Sequence, residues 1–268
     1  MLKKMFGKKV FSFPKPVELI QKFVDSSSTK DSIVLDFFAG SSTTGHACFL
    51  HNILNGNKNR LHFILMQLPE DLKENLRHAN GNREKQVCQN AIDFCIENNL
   101  PANLSSISIE RLKRSSDMIK QEYGLLSESV DLGFRVFDID SSNMNDVYYN
   151  PTATTQSLFD TTIDNVKPDR TPLDLLFQVM LELGIELSAK IEEKTFSGKK
   201  YYVVNENDIV ACFDTNITNE LVTEMAKIKP LYAVFRDSSF NSDSSSINCW
   251  QIFKTYNPTM KENNLKVL

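Results

Sequence analysis

The sequence predicts an α/β protein with a parallel β-sheet in its first part and a smaller α+β domain in its second part. Two apolar runs at 32–38 and 60–68 flank a small-residue turn and a helix, which is the order of a βαβ unit with parallel strands. A stretch rich in Asn, Ser, Thr and Asp follows, and beyond it short helical and strand-like patterns alternate. We therefore predict an α/β domain at 1–140, a linker at 141–171 and an α+β domain at 172–268.

The first domain is predicted from the spacing of its apolar residues. Residues 14–24 form a helix that proline opens, because the first helical turn does not need the missing N–H group. Its core-facing stripe contains Val17, Leu19, Ile20, Phe23 and Val24. The helix after the small-residue turn runs to about Leu54, two further helices lie at 84–98 and 108–123, and a strand at 131–140 ends the domain.

The second domain is predicted to alternate helices and strands. The predicted helices lie at 172–183, 218–228 and 246–254. The predicted strands lie at 185–191, 199–205, 209–214 and 230–236. Gly198-Lys199 and Glu206-Asn207 stand where hairpin turns are needed, so this region is predicted to be a small α+β domain.

Composition limits the kinds of function. The net charge of −4 argues against a domain that grips duplex DNA alone, because such domains use a positive face to neutralise phosphates. No apolar run reaches the roughly 18 residues that suggest a membrane span, so no membrane partner is predicted. The five cysteines include no C-x-x-C pair, which suits a reducing cytoplasm, and no His/Cys cluster has zinc-site spacing.

The turn after the first strand carries the residues suited to chemistry. Gly40 lets the backbone approach a ligand closely, and the N–H groups that begin the next helix favour an anionic group. Asp36, at the end of the strand, is placed to hold an ammonium group. An acid beside a helix N-terminus suits a zwitterionic amino acid, such as the methionine end of S-adenosyl-L-methionine. The alternative is a tight connection in which the hydroxyls of residues 41–44 only cap the helix.

The string Asp-Phe-Phe-Ala-Gly-Ser-Ser-Thr-Thr at 36–44 resembles the D-x-F-x-G-S-G-T-T motif of amino-methyltransferases that act on DNA. The upstream segment 13–20, with Lys15 before a proline, is similar to the K-P motif of that family. Three further segments resemble parts of type III modification subunits: 63–70, 131–137 and 234–240. The sequence is therefore identified as a member of the type III restriction-modification family, whose modification subunit is an adenine-specific DNA N6-methyltransferase.

The resemblance implies a partial Rossmann-like sheet of a methyltransferase that uses S-adenosyl-L-methionine, with the cofactor at the turn. The implied cofactor-binding residues are Lys15, Asp36, Phe37, Phe38, Ala39, Gly40, Ser41, Ser42, Thr43 and Gln67. Lys15 is implied near the methionine carboxylate, and Gln67 near the ribose hydroxyls, where many relatives have an acid. Ser42 stands at the usual second glycine of the motif, and its Cβ narrows the turn.

No residue of this sequence is predicted to be catalytic. The family holds the flipped adenine with a D-P-P-Y-type loop, and the sequence contains no Pro-Pro pair. The segments 150–152 and 257–259 have one proline each and no aromatic ring, so each is predicted to be a turn. In this family class the catalytic motif precedes the K-P motif. The sequence is therefore predicted to be the carboxyl-terminal part of such a subunit, inactive alone, that reaches DNA through the preceding part.

The resemblance also implies partners, because the carboxyl-terminal domain of such subunits serves assembly. We predict contact with a restriction subunit and a homodimer. Two alternatives stay open: a module that docks on a modification complex without chemistry, and an enzyme that methylates a small molecule. Arg111, Lys113 and Arg114 are predicted to form a solvated helix face rather than a DNA contact, and His46 is predicted to pack in the first helical turn.

Overall fold

The chain contains helices together with strands in two separate sheets, so the mixed α/β class is confirmed. The computed structural model describes residues 2–56, 59–145, 165–240 and 243–268, with only the backbone for 243–245. The chain divides into two compact units between Phe137 and Asp138. The segment 150–152, predicted to be a turn, lies outside the described residues.

The first unit contains a two-stranded parallel sheet and six helices in its described residues. The helices are α1 (Leu2–Phe6), α2 (Val17–Ser27), α3 (Thr43–Asn55), α4 (Leu72–His78), α5 (Asn82–Glu97) and α6 (Leu104–Tyr123). The strands are β1 (Ile33–Asp36) and β2 (His62–Leu65). Ile33 pairs with His62 and Asp36 with Leu65, so both strands end at the same edge. The predicted strand, turn, helix and strand therefore fold as a βαβ unit.

One face of this sheet is covered and the other is open. Phe63 packs beneath the sheet against Phe49 of α3 at 5.4 Å between ring centroids, and against the buried cluster of Val24, Cys48 and Leu61. On the opposite face Ile33, Leu35 and Ile64 are exposed at 61%, 55% and 49%. Alternate residues of a strand point to opposite faces, so this second face carries three exposed apolar side chains, with the partly buried His62 beside them, and no described helix covers the three.

Two sequence-based predictions in the first unit are wrong. Helix α2 begins at Val17, with Pro16 in an extended conformation before it, and Leu19 and Phe23 are exposed rather than core-facing. These two positions lie off the stripe formed by residues i, i+3 and i+7 that packs on α3. The segment 131–140 is no strand, and none of the strands in the described residues pairs with it; Leu132 is buried among helical side chains instead.

The second unit is a five-stranded sheet with helices on both faces. Its helices are α7 (Pro172–Glu182), α8 (Asn219–Lys227) and α9 (Asp243–Tyr256). Its strands are β3 (Ile191–Phe196), β4 (Lys199–Val204), β5 (Ile209–Cys212), β6 (Tyr232–Phe235) and β7 (Leu265–Val267), in that spatial order. The first three strands are antiparallel neighbours, whereas β5, β6 and β7 are parallel.

Helix α7 covers one face of this sheet, while α8 and α9 cover the other. Helix α7 has Thr171 as its N-cap residue, whose hydroxyl and the Asp174 carboxylate form a capping box. The predicted strand at 185–191 is wrong, because the chain there turns after α7 and enters the sheet only at Ile191. The β7 strand was not predicted, since only three residues pair with β6.

Candidate functional site

The turn between β1 and α3 has an unusual backbone. Gly40 has a φ of +54° and Ser42 a φ of +57° with ψ of 40°, so both lie in the left-handed region. A Cβ on Gly40 would lie 3.4 Å from the ring of Phe11. The position of Ser42, where the DNA methylase motif has its second glycine, therefore needs a conformation that only glycine adopts without cost.

Replacing Ser42 with glycine should raise the free energy of unfolding by about 0.5–1 kcal/mol. A non-glycine residue in the left-handed region destabilises the folded state by roughly 1–2 kcal/mol, and the larger conformational entropy that glycine loses on folding offsets part of the gain. Urea unfolding followed by circular dichroism measures the change. Ser26→Gly, in the exposed part of α2, is the matched control and should be destabilising, since that residue is helical. A loss of stability in Ser42→Gly equal to that of the control would contradict the strain argument.

The strand side of the turn is held by two polar side chains. One carboxylate oxygen of Asp36 accepts the Phe38 N–H at 3.1 Å, and the other accepts the Thr44 hydroxyl at 2.6 Å. Oε1 of Gln67, just beyond β2, accepts the Gly40 N–H at 2.7 Å. These contacts fix the path of the chain at the carboxyl edge of the sheet, where open α/β sheets bind ligands.

The opposite side of the turn is held by α6. The Ser108 hydroxyl donates to the Gly40 carbonyl. Nη1 of Arg111 donates to the Ser41 carbonyl at 3.1 Å, to the Ser41 hydroxyl at 2.7 Å and to the Thr43 hydroxyl at 2.6 Å. Arg111 is only 2% exposed, so the predicted solvated helix face is wrong for this residue.

The predicted cofactor-binding residues fall into an inner and an outer group. Ser41, Ser42 and Thr43 are buried, with two of their hydroxyls turned to α6, and Ala39 is buried beside them. The alternative interpretation, in which the hydroxyls only cap the helix, does not hold for Ser42, which stands at the N-cap without a side-chain hydrogen bond.

The outer group faces solvent. Phe37 and Phe38 are 60% and 83% exposed, and Lys15 is exposed in the segment before α2. Gln67 uses its amide within the protein, since Oε1 accepts from Gly40 and Nε2 donates to the Leu68 carbonyl at 3.1 Å. Gln67 therefore stabilises the turn through hydrogen bonds within the protein, and its contact with a ribose stays a prediction.

Helical spacing could have revealed the role of Arg111. Ser108, Arg111 and Ser115 follow one another at i, i+3 and i+7, on the buried side of α6. Lys113 and Asp117 are exposed on the other side. Charge alone suggested a solvated face, whereas periodicity places Arg111 among the buried residues.

His46, in the first turn of α3, is buried as predicted. It is 2% exposed, and its Nδ1 has no hydrogen-bond partner among the described residues. Burial, and secondarily the positive charge of Arg111, lower the pKa of His46 to about 4. The imidazole is therefore neutral at physiological pH and acts as a packed side chain.

The electrostatics of the turn favour an anion on the helix side. The amides of Thr43, Thr44 and Gly45 find no acceptor in the described part of the chain, as is usual for the first turn of a helix. The dipole of α3 and the guanidinium of Arg111 both add positive potential there. Asp36 supplies the nearest negative charge on the strand side, so the turn offers opposite charges to the two ends of a zwitterion.

The described residues show neither a metal centre nor a membrane span. Across 2–56, 59–145, 165–240 and 243–268, no group of three or more His, Cys, Asp or Glu side chains could hold a metal ion. No helix in the same residues is long and apolar enough to cross a membrane.

Comparison with known proteins places the turn inside a recognised family segment. Residues 2–90 match the sequence profile of the DNA methylase family. The chain is 34% identical over 131 residues to the Mod subunit of the type III restriction-modification enzyme StyLTI of Salmonella typhimurium, covering 49% of this chain and 17% of that subunit. It is 47% identical over 70 residues to the EcoPI Mod subunit of Escherichia phage P1, covering 26% and 10%.

A type II enzyme also matches. The chain is 37% identical over 82 residues to the type II methyltransferase M.KpnI of Klebsiella pneumoniae, covering 30% of this chain and 19% of that protein. The matched stretches therefore span less than a fifth of the length of each of these relatives.

Proposed function

We propose that this chain is the S-adenosyl-L-methionine-binding part of a type III modification subunit. The premise is that residues 2–90 match the DNA methylase family and that the chain is similar to subunits of that type. Its reaction would be methylation of adenine N6 in DNA, carried out together with a segment that supplies the catalytic loop. The chain alone would bind the cofactor without transferring the methyl group.

One observation supports the cofactor site above all others. The turn leaves a parallel strand pair at its carboxyl edge, passes through two left-handed residues and opens a 13-residue helix whose first amides are unpaired. Such a helix end binds anionic groups without further help. Asp36 stands on the strand side of the same turn, and together they fit the carboxylate and the ammonium of an amino acid.

The residues present would divide the cofactor between them. The α3 amides and the Lys15 ammonium would hold the methionine carboxylate, and Asp36 would hold the ammonium group. Phe38 and its neighbour Phe37, whose rings are 5.2 Å apart, offer apolar surface for the rest of the cofactor. When bound, the cofactor supplies an activated methyl group on its sulfonium.

The open face of the first sheet supports a partner segment. Doubly wound sheets have helices on both faces, whereas the described helices cover β1 and β2 on one face only. We propose that this face receives the part of the methyltransferase domain with the remaining strands and the D-P-P-Y-type loop, which would also contact DNA. The sequence offers no Pro-Pro pair of its own for that loop.

The second unit is proposed to serve assembly. Its two layers of helices enclose the sheet and leave its interior well packed, with Val204, Ile209 and Val234 fully buried. We propose that its surface contacts a second copy of the chain or a restriction subunit, in the cytoplasm.

A non-catalytic docking module is the rival function. It is supported by the hydrogen bonds within the turn, because side-chain polar groups of Gln67, Ser41 and Thr43 already bind neighbouring protein groups. The two functions differ in one measurable property, which is affinity for S-adenosyl-L-methionine.

Isothermal titration of the intact chain with S-adenosyl-L-methionine is the direct test, and we expect saturable binding. Asp36→Asn should raise the Kd at least about tenfold, since a charge-assisted hydrogen bond contributes roughly 1.5–3 kcal/mol. Asp31→Asn, an exposed acid before β1, is the matched control and should bind like the wild type. A wild-type chain without measurable binding would favour the docking module.

A second assay tests the split between binding and catalysis. Transfer of labelled methyl groups to DNA is measured for the chain alone and after addition of the amino-terminal part of a related type III modification subunit. We expect no transfer alone and measurable transfer in the mixture. Transfer by the chain alone, or none in either sample despite cofactor binding, would contradict the proposed division of labour.

A further inference from the structure

We infer that Arg111 is a specificity-determining residue of the proposed cofactor site, whose buried guanidinium makes the turn select ligands that carry a carboxylate. This inference rests on the proposed function and concerns which ligands the turn accepts. It does not involve the methyl-transfer step.

The guanidinium is a buried charge without a counter-ion. Arg111 is 2% exposed, and in the described residues no carboxylate oxygen lies within 4.0 Å of its nitrogens. The three oxygens that accept from Nη1 belong to a backbone carbonyl and two hydroxyls, so they orient the group without neutralising it. Its Nε is buried and finds no acceptor among the residues that the structure describes.

The positive charge of Arg111 lies where the surrounding protein destabilises it. A cation near the start of a helix is opposed by the positive end of the helix dipole, yet Arg111 reaches Thr43, the first residue of α3. Burial lowers the pKa of Arg111 to about 10, so the group keeps its proton at neutral pH. Its field reaches neighbouring groups, since it helps to lower the pKa of His46.

An anion bound at the turn would neutralise the buried positive charge of Arg111. Burying an unpaired charge is costly, and its attraction for an opposite charge is strong in a poorly solvated environment. The free energy gained on binding should therefore be larger for a ligand with a carboxylate at the α3 amides. Ligands with the same nucleoside but no carboxylate should not gain it.

Two nucleosides distinguish the contribution of the amino-acid end from the affinity of the shared adenosyl group. S-adenosylhomocysteine and 5′-methylthioadenosine share the adenosyl group and a neutral thioether, and only the first carries the amino-acid end. Calorimetry gives the Kd of both for the wild type, Arg111→Met, Arg111→Lys and Ser108→Ala. Ser108→Ala removes the other α6 anchor of the turn without changing charge.

We expect Arg111→Met to raise the Kd of S-adenosylhomocysteine at least about tenfold and that of 5′-methylthioadenosine less than about twofold. Arg111→Lys should keep the wild-type ratio of the two Kd values, which guards against a methionine variant that folds poorly. Ser108→Ala should weaken both ligands alike.

Equal weakening of both nucleosides by Arg111→Met, or a changed ratio in Arg111→Lys, would overturn the inference while leaving the proposed function intact. A wild-type chain that binds neither nucleoside would refute the proposed function and the inference together.

Discussion

Replacing Asn52 with leucine should lower the free energy of unfolding of the first unit by about 2–4 kcal/mol. The Asn52 side chain of α3 donates to the Leu61 carbonyl at 2.9 Å and accepts from the Leu61 N–H at 2.8 Å. Asn52 and Leu61 are 3% and 2% exposed, and Leu61 lies just before β2, where no strand neighbour serves it. A leucine would leave both buried backbone groups unpaired, at roughly 1–3 kcal/mol each, and recover part through apolar contact.

Native-state hydrogen exchange of the α3 amides is the suitable measurement, because the single tryptophan, Trp250, lies in the second unit and cannot report on the first. Asn55→Leu makes the same change three residues later at an exposed position and should cost no more than about 0.5 kcal/mol. Equal protection in the two variants would show that the paired bonds to Leu61 do not hold β2 against α3.

The βαβ core could be predicted because several local signals agree there. An apolar run, a glycine in a small-residue turn and a helical pattern each indicate the same element order, and the parallel pairing of β1 and β2 follows from it. Gly45 shows why the helix approaches the sheet so closely. A Cβ on it would lie 2.7 Å from Leu112 and 2.9 Å from Leu65, so only a hydrogen fits between α3, α6 and β2.

The segment 131–140 was not predictable in the same way. Its alternating apolar residues are typical of a strand, but a strand exists only when another strand offers hydrogen bonds. Leu132 and Phe134 pack against helices, and Asp131 forms an ion pair with Arg60 at 2.8 Å, while Ile139 is fully exposed. Alternation of apolar and polar residues indicates which side chains of an extended segment face the same side. Whether the segment pairs with another strand depends on distant parts of the chain.

The basic residues of α6 show a related limit. Lys113 is solvated as predicted, but Arg114 lies over the rings of Phe6 and Phe94, at 5.3 and 4.9 Å from their centroids. A guanidinium stacks on aromatic rings and binds backbone carbonyls, so an arginine can be a packing residue where a lysine would stay in solvent. Arg114 also pairs with Glu110 one turn earlier in α6, but the rings under Arg114 and the turn residues bound by Arg111 come from other parts of the sequence, and pattern alone does not reveal them.

The turn between β1 and α3 joins these observations. Its strand side is fixed by Asp36 and Gln67, which were predicted from the sequence motifs, and its helix side by Ser108 and Arg111, which were not predicted to contact the turn. A motif specifies the residues near a ligand, whereas the neighbours that hold the motif in shape can lie about 70 residues away, as Arg111 does from Ser41. The turn should therefore be sensitive to changes in α6 as well as in the motif.

The stability of the first unit should fall as the pH is lowered from about 6.5 towards 4, through the protonation of His46. Burial, then the charge of Arg111, lower the pKa of the folded imidazole from the ordinary value of 6.5 to about 4. The unfolded chain therefore binds the proton more readily between these two values, and stability rises with pH in that window. The contribution is fully present above about 6.5, and its loss by pH 4 amounts to at most about 3 kcal/mol.

Hydrogen exchange of the α3 amides at several pH values, corrected for the intrinsic exchange rate, measures this dependence. His46→Gln removes the titrating group and should flatten the part of the profile between pH 6.5 and 4. His78→Gln, at an exposed position in α4, is the matched control and should leave the profile unchanged. Since Arg111 contributes to the low pKa of His46, Arg111→Met should also shift the midpoint of the profile to higher pH. An unchanged profile in His46→Gln would mean that acid acts on the first unit through its carboxylates rather than through this histidine.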